Sequence, residues 1–308
     1  MPHVTCIGIA TLDLVFRVES YPTGPGKYRS HGRDEVGGGV AANAAVTVAA
    51  LGGEASFIGC VGDDPTGDRI MAGLVNAGVD VTGVRRAIGA ASPLSAVLVD
   101  GTGERLIVNH ASPDLFDMAR PIELNELAGA GAGAGAGAAA VLCDMRWPDG
   151  AVPALLAARE LGLPAIVDCD HDPSVGRGVE ILAAATHVIF SLPTLMAFTG
   201  GTDAAEALGR VGEYTDAWVA ATAGDEGVYW LRDGEVHHRA AFAVDVVDTL
   251  GAGDVFHGAF ALALVEGQSI ETALRFASGA SALKCTRVGG RAGIPNRGEV
   301  AAFLDQNQ

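Results

Sequence analysis

Continuous apolar runs alternate along the chain with segments of helical period. Residues 3–10, HVTCIGIA, form an uninterrupted apolar run of the kind that lies in the middle of a covered parallel sheet. Further apolar runs open the segments VLCDMRWPDG at 141–150 and LPAIVDCDHDP at 163–173. Helix-like segments lie between them, such as VAANAAVTVAALGG, which a pair of glycines ends. This alternation predicts the α/β class of fold.

Two other stretches have the period of strands and no helical period. Residues 14–36 contain the alternating VFRVE followed by many turn formers, and residues 94–111 contain LSAVLVD and ERLIVNH on either side of a glycine turn. We expect both stretches to leave the main sheet and to build a small β-sheet lid over a ligand. The chain, residues 1–308, is then one domain with a lid. The tract AGAGAGAGAGAAA at 128–140 is interpreted as a spacer without function.

The charge balance excludes some partners. The 308 residues carry a formal net charge of −17, with a pI near 4.7, so we expect neither nucleic acid nor an anionic membrane surface as a partner. The five cysteines form no CxxC pair, which favours core thiols in a reducing cytoplasm over a disulfide framework or a zinc site. The N-terminus has no basic region ahead of its apolar run, so a signal peptide is not predicted.

The stretch DTLGAGDVFHGAF at 248–260 contains the strongest candidate chemistry. The preceding AAFAVDVV at 240–247 is typical of a strand, and the following AFALALVEG of a buried helix. A Gly-Ala-Gly turn at the start of a helix leaves main-chain N–H groups free to bind a phosphate. Asp254 beside them can accept a proton from an incoming hydroxyl. The alternative is that Asp254 only caps the helix.

Other candidates lie where predicted strands end. Asp13 follows the first apolar run, where open α/β sheets bind ligands, although it could simply cap a turn. Gly37–Gly39 let a ligand approach the main chain, and Asn43, one turn into the next helix, can bind a hydroxyl. Arg146 ends a core strand, and a buried guanidinium there needs an anionic partner. That partner is Asp144, another protein acid or a ligand.

Two later strand ends are candidates for a metal ion and a nucleotide. Asp168 and Asp170 suit the outer sphere of magnesium, but capping or simple solvation explains them equally. The loop TAGDEG at 222–227 has the small residues that let a nucleotide lie against the main chain. The spacing Gly37-x-Gly39-x-x-Ala42 also matches the dinucleotide fingerprint, but RSHGRDE before it is not a convincing strand.

The motifs together resemble the ribokinase-type (PfkB) carbohydrate kinases. The segment GGGVAANAA…ALGG…FIGCVGDDPTGDRI is similar to the first signature of that family, and DTLGAGDVFHGAF to the second. The resemblance implies a three-layer α/β/α fold with a mostly parallel sheet and a β lid that often forms the dimer contact. It implies phosphoryl transfer from ATP to a sugar hydroxyl with Mg²⁺ and commonly K⁺.

The resemblance also implies roles for individual residues. Asp254 would be the base, and the anion hole would be formed by Gly251, Ala252 and Gly253. The sugar hydroxyls would be held by Asp13, Gly38, Gly39 and Asn43, the nucleotide would be contacted by Thr222, Gly224 and Gly227, and Asp248 would lie near the monovalent cation. One departure is that Ser191-Leu192-Pro193-Thr194 replaces the usual Asn-x-x-Glu magnesium motif. Asp168 or Asp170 would share its work, with Asp170 acting through water and Ser191 left at the nucleotide site.

Within the family, several strings are most similar to the sulfofructose kinases. They include PTGPGKY, DGTGERLIVNHASPDL, DMRWPDGA and RFASGASALKCTRVGGRAGIP. This resemblance places Lys27, Asn109 and Arg146 around a sulfonate, although a solvated lysine is the ordinary expectation for Lys27. The reaction implied is phosphorylation of 6-deoxy-6-sulfofructose on O1.

Three function classes remain as hypotheses from the sequence. The first is an ATP-dependent kinase for sulfofructose or for another sugar: fructose 6-phosphate, fructose, ribose or 2-keto-3-deoxygluconate. The second is a non-catalytic sugar or nucleotide sensor, which the altered Asn-x-x-Glu segment favours. The third is a dinucleotide-dependent dehydrogenase, which would bind nicotinamide. We expect a cytoplasmic homodimer that contacts its partner through the lid.

Overall fold

A computed structural model describes residues 1–101, 105–116, 122 and 139–307 of the chain. Its strands are His3–Gly8 (β1), Thr11–Arg17 (β2), Gly32–Gly38 (β3), Glu54–Gly62 (β4), Arg85–Ala87 (β5), Leu94–Val99 (β6), Arg105–His110 (β7), Ala140–Cys143 (β8), Ala165–Cys169 (β9), His187–Ser191 (β10), Trp218–Thr222 (β11), Val228–Arg232 (β12) and Glu235–Arg239 (β13). Most of the predicted spacer at 128–140 lies outside these residues, as does the predicted turn at 102–103.

The described helices cover both faces of the larger sheet. They are Val40–Ala50 (α1), Pro65–Asn76 (α2), Pro148–Glu160 (α3), Gly178–Ala184 (α4), Leu192–Thr199 (α5), Ala204–Val211 (α6), Ala252–Val265 (α7), Ile270–Cys285 (α8) and Arg297–Gln306 (α9). Local chemistry sets several of their starts. Asn296 and Glu299, for example, form a capping box at α9. No helix within the described ranges combines the length and the apolarity that crossing a bilayer needs.

Nine described strands form the central sheet in the order β13-β12-β11-β10-β9-β8-β1-β4-β5. β1 lies in the middle and pairs in parallel with β4 and β8, with Cys6 opposite Phe57 and Leu142. Only β12 and β13 are added antiparallel. The apolar run at the N-terminus is therefore buried on both faces, as predicted.

One buried cluster lies on each face of this sheet. Side chains of α1, α2, α7, α8 and α9 pack on one face, around Phe57 and Phe260, and those of α3 to α6 pack on the other, around Phe190 and Trp147. The fold is therefore three-layer α/β/α with a mostly parallel sheet, which confirms the predicted class. Because the carboxyl ends of the parallel strands share one edge, the polar residues that follow them are brought together there.

A second sheet of four strands, in the order β3-β2-β6-β7, corresponds to the predicted lid. It places Asp13 differently from the prediction. β1 ends at Gly8 because the Ile9 N–H donates to the Asp144 carboxylate at 2.7 Å instead of to a neighbouring strand. Asp13 therefore lies in β2, within the lid sheet, and does not end a central strand.

The strand predicted at 240–247 is not formed. These residues follow β13 without joining either described sheet, and the Val247 N–H donates to the Cys285 carbonyl of α8 at 2.8 Å. Phe242 packs against the core and meets Phe303 edge to face, with 5.2 Å between the ring centroids. The apolar pattern of this segment therefore reflects side-chain packing and does not reflect main-chain pairing, which is why periodicity alone misassigned it.

Candidate active site

The predicted anion-binding turn lies at the start of α7. Gly251 has a φ of 78°, a left-handed conformation that glycine adopts at little cost, and it caps the helix. The Ala252 N–H donates to the Thr249 carbonyl at 3.1 Å. The N–H groups of Gly251, Gly253 and Asp254 make no main-chain hydrogen bond to another described residue. Three amides at the positive end of α7 are thus available to an anion.

The Asp254 carboxylate faces this turn and is held by α1. The Asn43 side-chain amide donates to Asp254 Oδ2 at 2.6 Å, and a Cβ on Gly251 would lie 3.7 Å from the same oxygen. The carboxylate therefore lies beside the free amides, in the arrangement that a base and an anion hole require. Among the described residues, the hydrogen-bond partner of this carboxylate is Asn43 of α1 and not a main-chain N–H of its own helix.

Arg291 completes this contact and was not singled out from the sequence. Its Nε donates to Asn43 Oδ1 at 2.8 Å, and its Nη2 donates to the Gly38 carbonyl at 2.9 Å. Burial lowers the pKa of Arg291 to about 10, although the negative charges of Asp13 and Asp254 act to raise it. Arg291, Asn43 and Asp254 form one hydrogen-bonded line across the site.

Two of the predicted glycines, Gly38 and Gly39, allow neighbouring groups to pack closely against the main chain. A Cβ on Gly38 would overlap the Asp13 carboxylate, and one on Gly39 would overlap the Ile9 carbonyl. Gly39 also has a φ of 92°. Asp13 is buried and accepts a hydrogen bond from the Thr11 hydroxyl at 2.9 Å. The predicted sugar residues Asp13, Gly38, Gly39 and Asn43 therefore lie together beside Asp254.

Two further acids lie close enough to Asp254 to affect its pKa. Burial raises the pKa of Asp254 to about 8, with Asp168 and Asp170 adding to the rise and the Asn43 bond opposing it. Burial and Asp168 also raise the pKa of Asp170 to about 6. Asp254 is therefore largely protonated at neutral pH in the free protein, and its deprotonated form is a stronger base than an ordinary carboxylate.

His257, one turn after Asp254, balances this negative charge. Its Nδ1 lies 2.9 Å from Asp168 Oδ2 and 2.7 Å from the Gly253 carbonyl. Burial alone lowers its pKa, but Asp168 outweighs burial and the net pKa is raised to about 9. The imidazolium form is thus favoured at neutral pH, and it fixes Asp168 at the end of β9.

Arg146 has both protein partners and a free donor. Its main-chain N–H donates to Asp144 Oδ1 at 2.9 Å, and its Nη2 contacts Asp170 Oδ2 at 2.9 Å. The same Asp144 carboxylate accepts from Ile9 and Ala41, which places Arg146 next to the start of α1. Nη1 is buried and has no hydrogen-bond partner among the described residues. An acceptor for Nη1 is therefore missing.

A cleft of about 520 Å³ runs from the start of α7 to the loop after β11. It is lined by all three residues predicted to contact a nucleotide: Thr222, Gly224 and Gly227. Phe242 and Phe256 supply apolar walls, and Ala252 and Gly253 line the end nearest Asp254. A ligand that filled this cleft would have one end at the free amides of α7.

The other two residues predicted at the sulfonate, Lys27 and Asn109, belong to the lid side of the molecule. Lys27 is exposed between β2 and β3, and its ammonium has no partner in the part of the chain that the structure describes. Asn109 is exposed on β7 and donates to the Ser95 hydroxyl at 3.1 Å. Ser95 pairs with Asp13 in the lid, so Asn109, Ser95 and Asp13 share one cross-strand row and one face.

Ser191 and Asp248 have structural partners. The Ser191 hydroxyl caps α5, with its oxygen 2.7 Å from the Thr194 hydroxyl, and Ser191 pairs with Thr222 at the ends of β10 and β11. The two carboxylate oxygens of Asp248 accept from the Leu250 and Gly289 N–H groups, each at 2.8 Å. Neither residue is among those that line the cleft.

Sequence reasoning missed Arg291 and the pairing of His257 with Asp168. His257 falls inside the signature, but nothing local indicates its partner. Arg291 lies between glycines in GGRAGIP, and an arginine in a glycine-rich exit loop is usually solvated. Its contact with Asn43, 248 positions earlier, is visible only in the folded chain.

Comparisons with known proteins show the family to which the chain belongs. The family model of pfkB family carbohydrate kinases matches residues 1–297. The ATP-dependent ribose-1-phosphate kinase of Halopiger xanaduensis is 31% identical over 306 residues, 99% of each chain. The ribokinase of Arabidopsis thaliana, solved with ribose and ATP, superposes with a TM-score of 0.85 at 25% identity over 98% of each chain. A solved Agrobacterium tumefaciens protein assigned to the ribokinases superposes with a TM-score of 0.92 at 41% identity. The match covers 99% of this chain and 98% of that one.

A carboxylate base beside free helix-end amides is what phosphoryl transfer to a hydroxyl requires. Together with the comparisons, it defines a phosphotransferase with an alcohol group as acceptor. The chain belongs to the pfkB family of carbohydrate kinases and is of the ribokinase type. The resemblance seen in its two signatures is thereby confirmed.

Proposed function

We propose that this kinase phosphorylates 6-deoxy-6-sulfofructose on O1 with ATP. The observation that carries the proposal is the buried Nη1 of Arg146, which has no acceptor among the described residues. A buried donor without a partner is costly, and a charged donor more so. A sulfonate stays ionised over the physiological pH range and would supply the missing acceptor. Arg146 is also connected through Asp144 to the start of α1, where the sugar residues lie.

Lys27 and Asn109 would complete the sulfonate site from the lid side. The ammonium of Lys27 lies on an exposed segment and has no partner among the described residues. Asn109 shares a face of the lid with Asp13, which we assign to the sugar hydroxyls. Three donors of this kind suit a fixed anion at the end of the sugar remote from O1.

In the proposed reaction, Asp254 accepts the proton of the sugar O1 hydroxyl as that oxygen attacks the terminal phosphorus of ATP. The bond from that phosphorus to the bridging oxygen breaks, and ADP leaves. Asn43 holds the carboxylate in place, and Arg291 holds Asn43. The free amides of Gly251 and Gly253 stabilise the charge that develops on the transferred phosphoryl group. The cleft from α7 to Gly224 would hold the nucleotide.

Magnesium fits this site only through water. The described residues contain no cluster of three or more His, Cys, Asp or Glu side chains that could hold a metal ion. Asp168 is engaged by His257, and one oxygen of Asp170 by Arg146. The other oxygen of Asp170 could bind a water of a magnesium ion that enters with ATP. That ion would neutralise phosphate charge.

Turnover on five sugars tests the choice of substrate. We expect kcat/KM for sulfofructose to exceed that for fructose by about 10² or more, since two charge-assisted bonds are each worth about 1.5–3 kcal/mol. Fructose 6-phosphate, ribose 1-phosphate and ribose complete the panel. Arg146→Ala is expected to raise KM for sulfofructose about 10- to 100-fold and to leave KM for ATP and the slow rate on fructose unchanged.

The control is Arg159→Ala, which removes an arginine of α3 whose partners are Asp216 and the carbonyls of Ala183 and Ala185. That variant should match the unaltered enzyme on every sugar. Equal rates on fructose and sulfofructose would defeat the proposal, as would an equal effect of Arg146→Ala on both.

A phosphosugar is the second candidate substrate. The Halopiger relative is named for ribose 1-phosphate, and a phosphate would satisfy Arg146 as a sulfonate does. The sugar panel separates the two, because a phosphosugar kinase would show its highest kcat/KM on ribose 1-phosphate or fructose 6-phosphate.

We further propose that two copies pair through their lids. β7 is an edge strand of the lid sheet, and Leu106, Ile107 and Val108 on it are 42%, 53% and 62% exposed. Three exposed apolar side chains on an edge that no other described strand covers favour association. Light scattering should give twice the 31.2 kDa of one chain, and Val108→Lys should return the mass of a single chain. A single-chain mass for the unaltered protein would overturn this.

A further inference from the structure

The chain contains two lysines, and one of them is fully buried. Lys284 lies in the last turn of α8. Its Nζ donates to the Asp248 carbonyl at 2.8 Å and to the Arg287 carbonyl at 3.4 Å. A Cβ on Gly293 would lie only 2.9 Å from Lys284 Cδ, so that glycine leaves room for the lysine stem. Lysine is almost never fully buried unless it is paired, and here the partners of the ammonium are two main-chain carbonyls.

Each oxygen of Asp248, near which the family resemblance implies a monovalent cation, already accepts a hydrogen bond. Both carboxylate oxygens accept main-chain N–H groups, from Leu250 and Gly289, and the carbonyl accepts the Lys284 ammonium. A potassium ion needs several oxygen ligands that are not already bonded. The residues present therefore do not fit a potassium ion, and two positive charges already lie here. The Lys284 ammonium is on the Asp248 carbonyl, and the Arg105 guanidinium has its Nη1 3.9 Å from Asp248 Oδ1 and also contacts the Thr249 hydroxyl.

The same turn of α8 holds the rest of the Asp248 main chain. The Cys285 carbonyl accepts the N–H groups of Val247 and Asp248, at 2.8 and 3.1 Å. Both polar main-chain groups of Asp248 are thus fixed by two adjacent residues of α8. Three residues later the chain reaches Gly251 and the amides of the anion hole. The position of that turn therefore depends on this end of α8.

We propose that the Lys284 ammonium is a tethered substitute for a monovalent cation, which positions the 248–251 turn and makes the kinase independent of potassium. A lysine ammonium is a compact charge with three donors, so it can bind carbonyl oxygens as an ion would. Because it is covalently attached, it is present at any salt composition. Lys284 is a positioning residue, and the inference rests on the proposed phosphate-binding role of the turn but not on the choice of sugar.

The first test uses the unaltered enzyme in potassium chloride and in tetramethylammonium chloride at equal ionic strength. The affinity for ADP, by calorimetry, and the initial rate with the best sugar are both measured. We expect each to differ less than about two-fold between the salts. An increase of about ten-fold or more in potassium would overturn the proposal.

The second test removes the ammonium. Lys284→Met should weaken ADP binding by about ten-fold or more in tetramethylammonium chloride, and potassium or ammonium ions should restore a large part of it. The matched control is Arg275→Met, in the same helix, whose guanidinium also donates to two carbonyls, those of Leu304 and Asn307. It should show no dependence on the cation. Full ADP affinity of Lys284→Met without potassium would refute the proposal.

The two readouts separate this inference from the choice of substrate. If sulfofructose is not phosphorylated but ADP binds equally in both salts, only the substrate proposal fails. If sulfofructose is turned over but ADP binding needs potassium, only the role of Lys284 fails. Should Lys284→Met not fold, the salt comparison on the unaltered enzyme still decides.

Discussion

Asp254→Asn should lower kcat by about 10³-fold and leave sugar binding nearly intact, because general base catalysis is typically worth 10²- to 10⁴-fold. Asparagine keeps the shape of the side chain and can still bond to Asn43, but it cannot accept the proton of the sugar hydroxyl. Calorimetric titration with sugar and steady-state kinetics measure the two quantities separately. The same experiment decides against a sugar sensor, since a sensor has no turnover to lose.

The pH dependence of the unaltered enzyme provides a second measurement on this residue. The pKa of Asp254 is raised to about 8, so the base is largely protonated at neutral pH in the free protein. We therefore expect kcat/KM to rise with pH up to about 8 and to level off above it. The free energy of unfolding should show the opposite trend and fall as the pH rises. A raised carboxyl pKa favours folding at low pH, and this contribution is lost as the pH rises through about 8.

Asp254→Asn should thus unfold at a higher denaturant concentration than the unaltered protein above pH 8, while being far less active. The control is Asp305→Asn, an exposed acid of α9. It should change neither activity nor the pH dependence of unfolding. A rate within about ten-fold of the unaltered enzyme for Asp254→Asn would remove Asp254 from the role of base.

Local sequence patterns predicted the features that local physics sets. The apolar run at 3–10 gave a central strand, and the glycine turn before α7 formed because Gly251 alone adopts its conformation easily. Asp13 was misplaced because the chain passes from one sheet to the other without a polar break. The side chain of Asp144, which takes the Ile9 amide, ends β1 and lies more than a hundred positions away.

Long-range partners account for the rest of what the sequence could not predict. Lys284 appears within a helical segment with ordinary polar spacing, and its burial follows from the Asp248 carbonyl and the space beside Gly293. His257 acquires its charge from Asp168, which comes from a different strand. The signature therefore indicates Asp254 as the proposed base, but the groups that orient its side chain and set its pKa are determined by tertiary packing.

Arg291→Leu should have the second largest effect, a loss of about 10²- to 10³-fold in kcat/KM for the sugar, since it removes two bonds made by a charged donor. Leucine fills part of the space but leaves Asn43 Oδ1 and the Gly38 carbonyl without a donor. Asn43 can then turn its amide away from Asp254, so both the sugar pocket and the base lose their orientation. ADP binding should change little, because Arg291 does not line the nucleotide cleft.

The matched control is Arg287→Leu in the same loop, whose guanidinium pairs with Glu299 of α9. Loss of this half-buried ion pair should lower the free energy of unfolding slightly but leave kcat and KM unchanged. Arg291→Lys separates charge from geometry. One ammonium cannot reproduce the fixed fork that spans Asn43 and Gly38, so this variant should recover binding of the sugar only in part. If Arg291→Lys were fully active, the line from Arg291 through Asn43 to Asp254 would act through charge alone, and the orientation argument would be wrong.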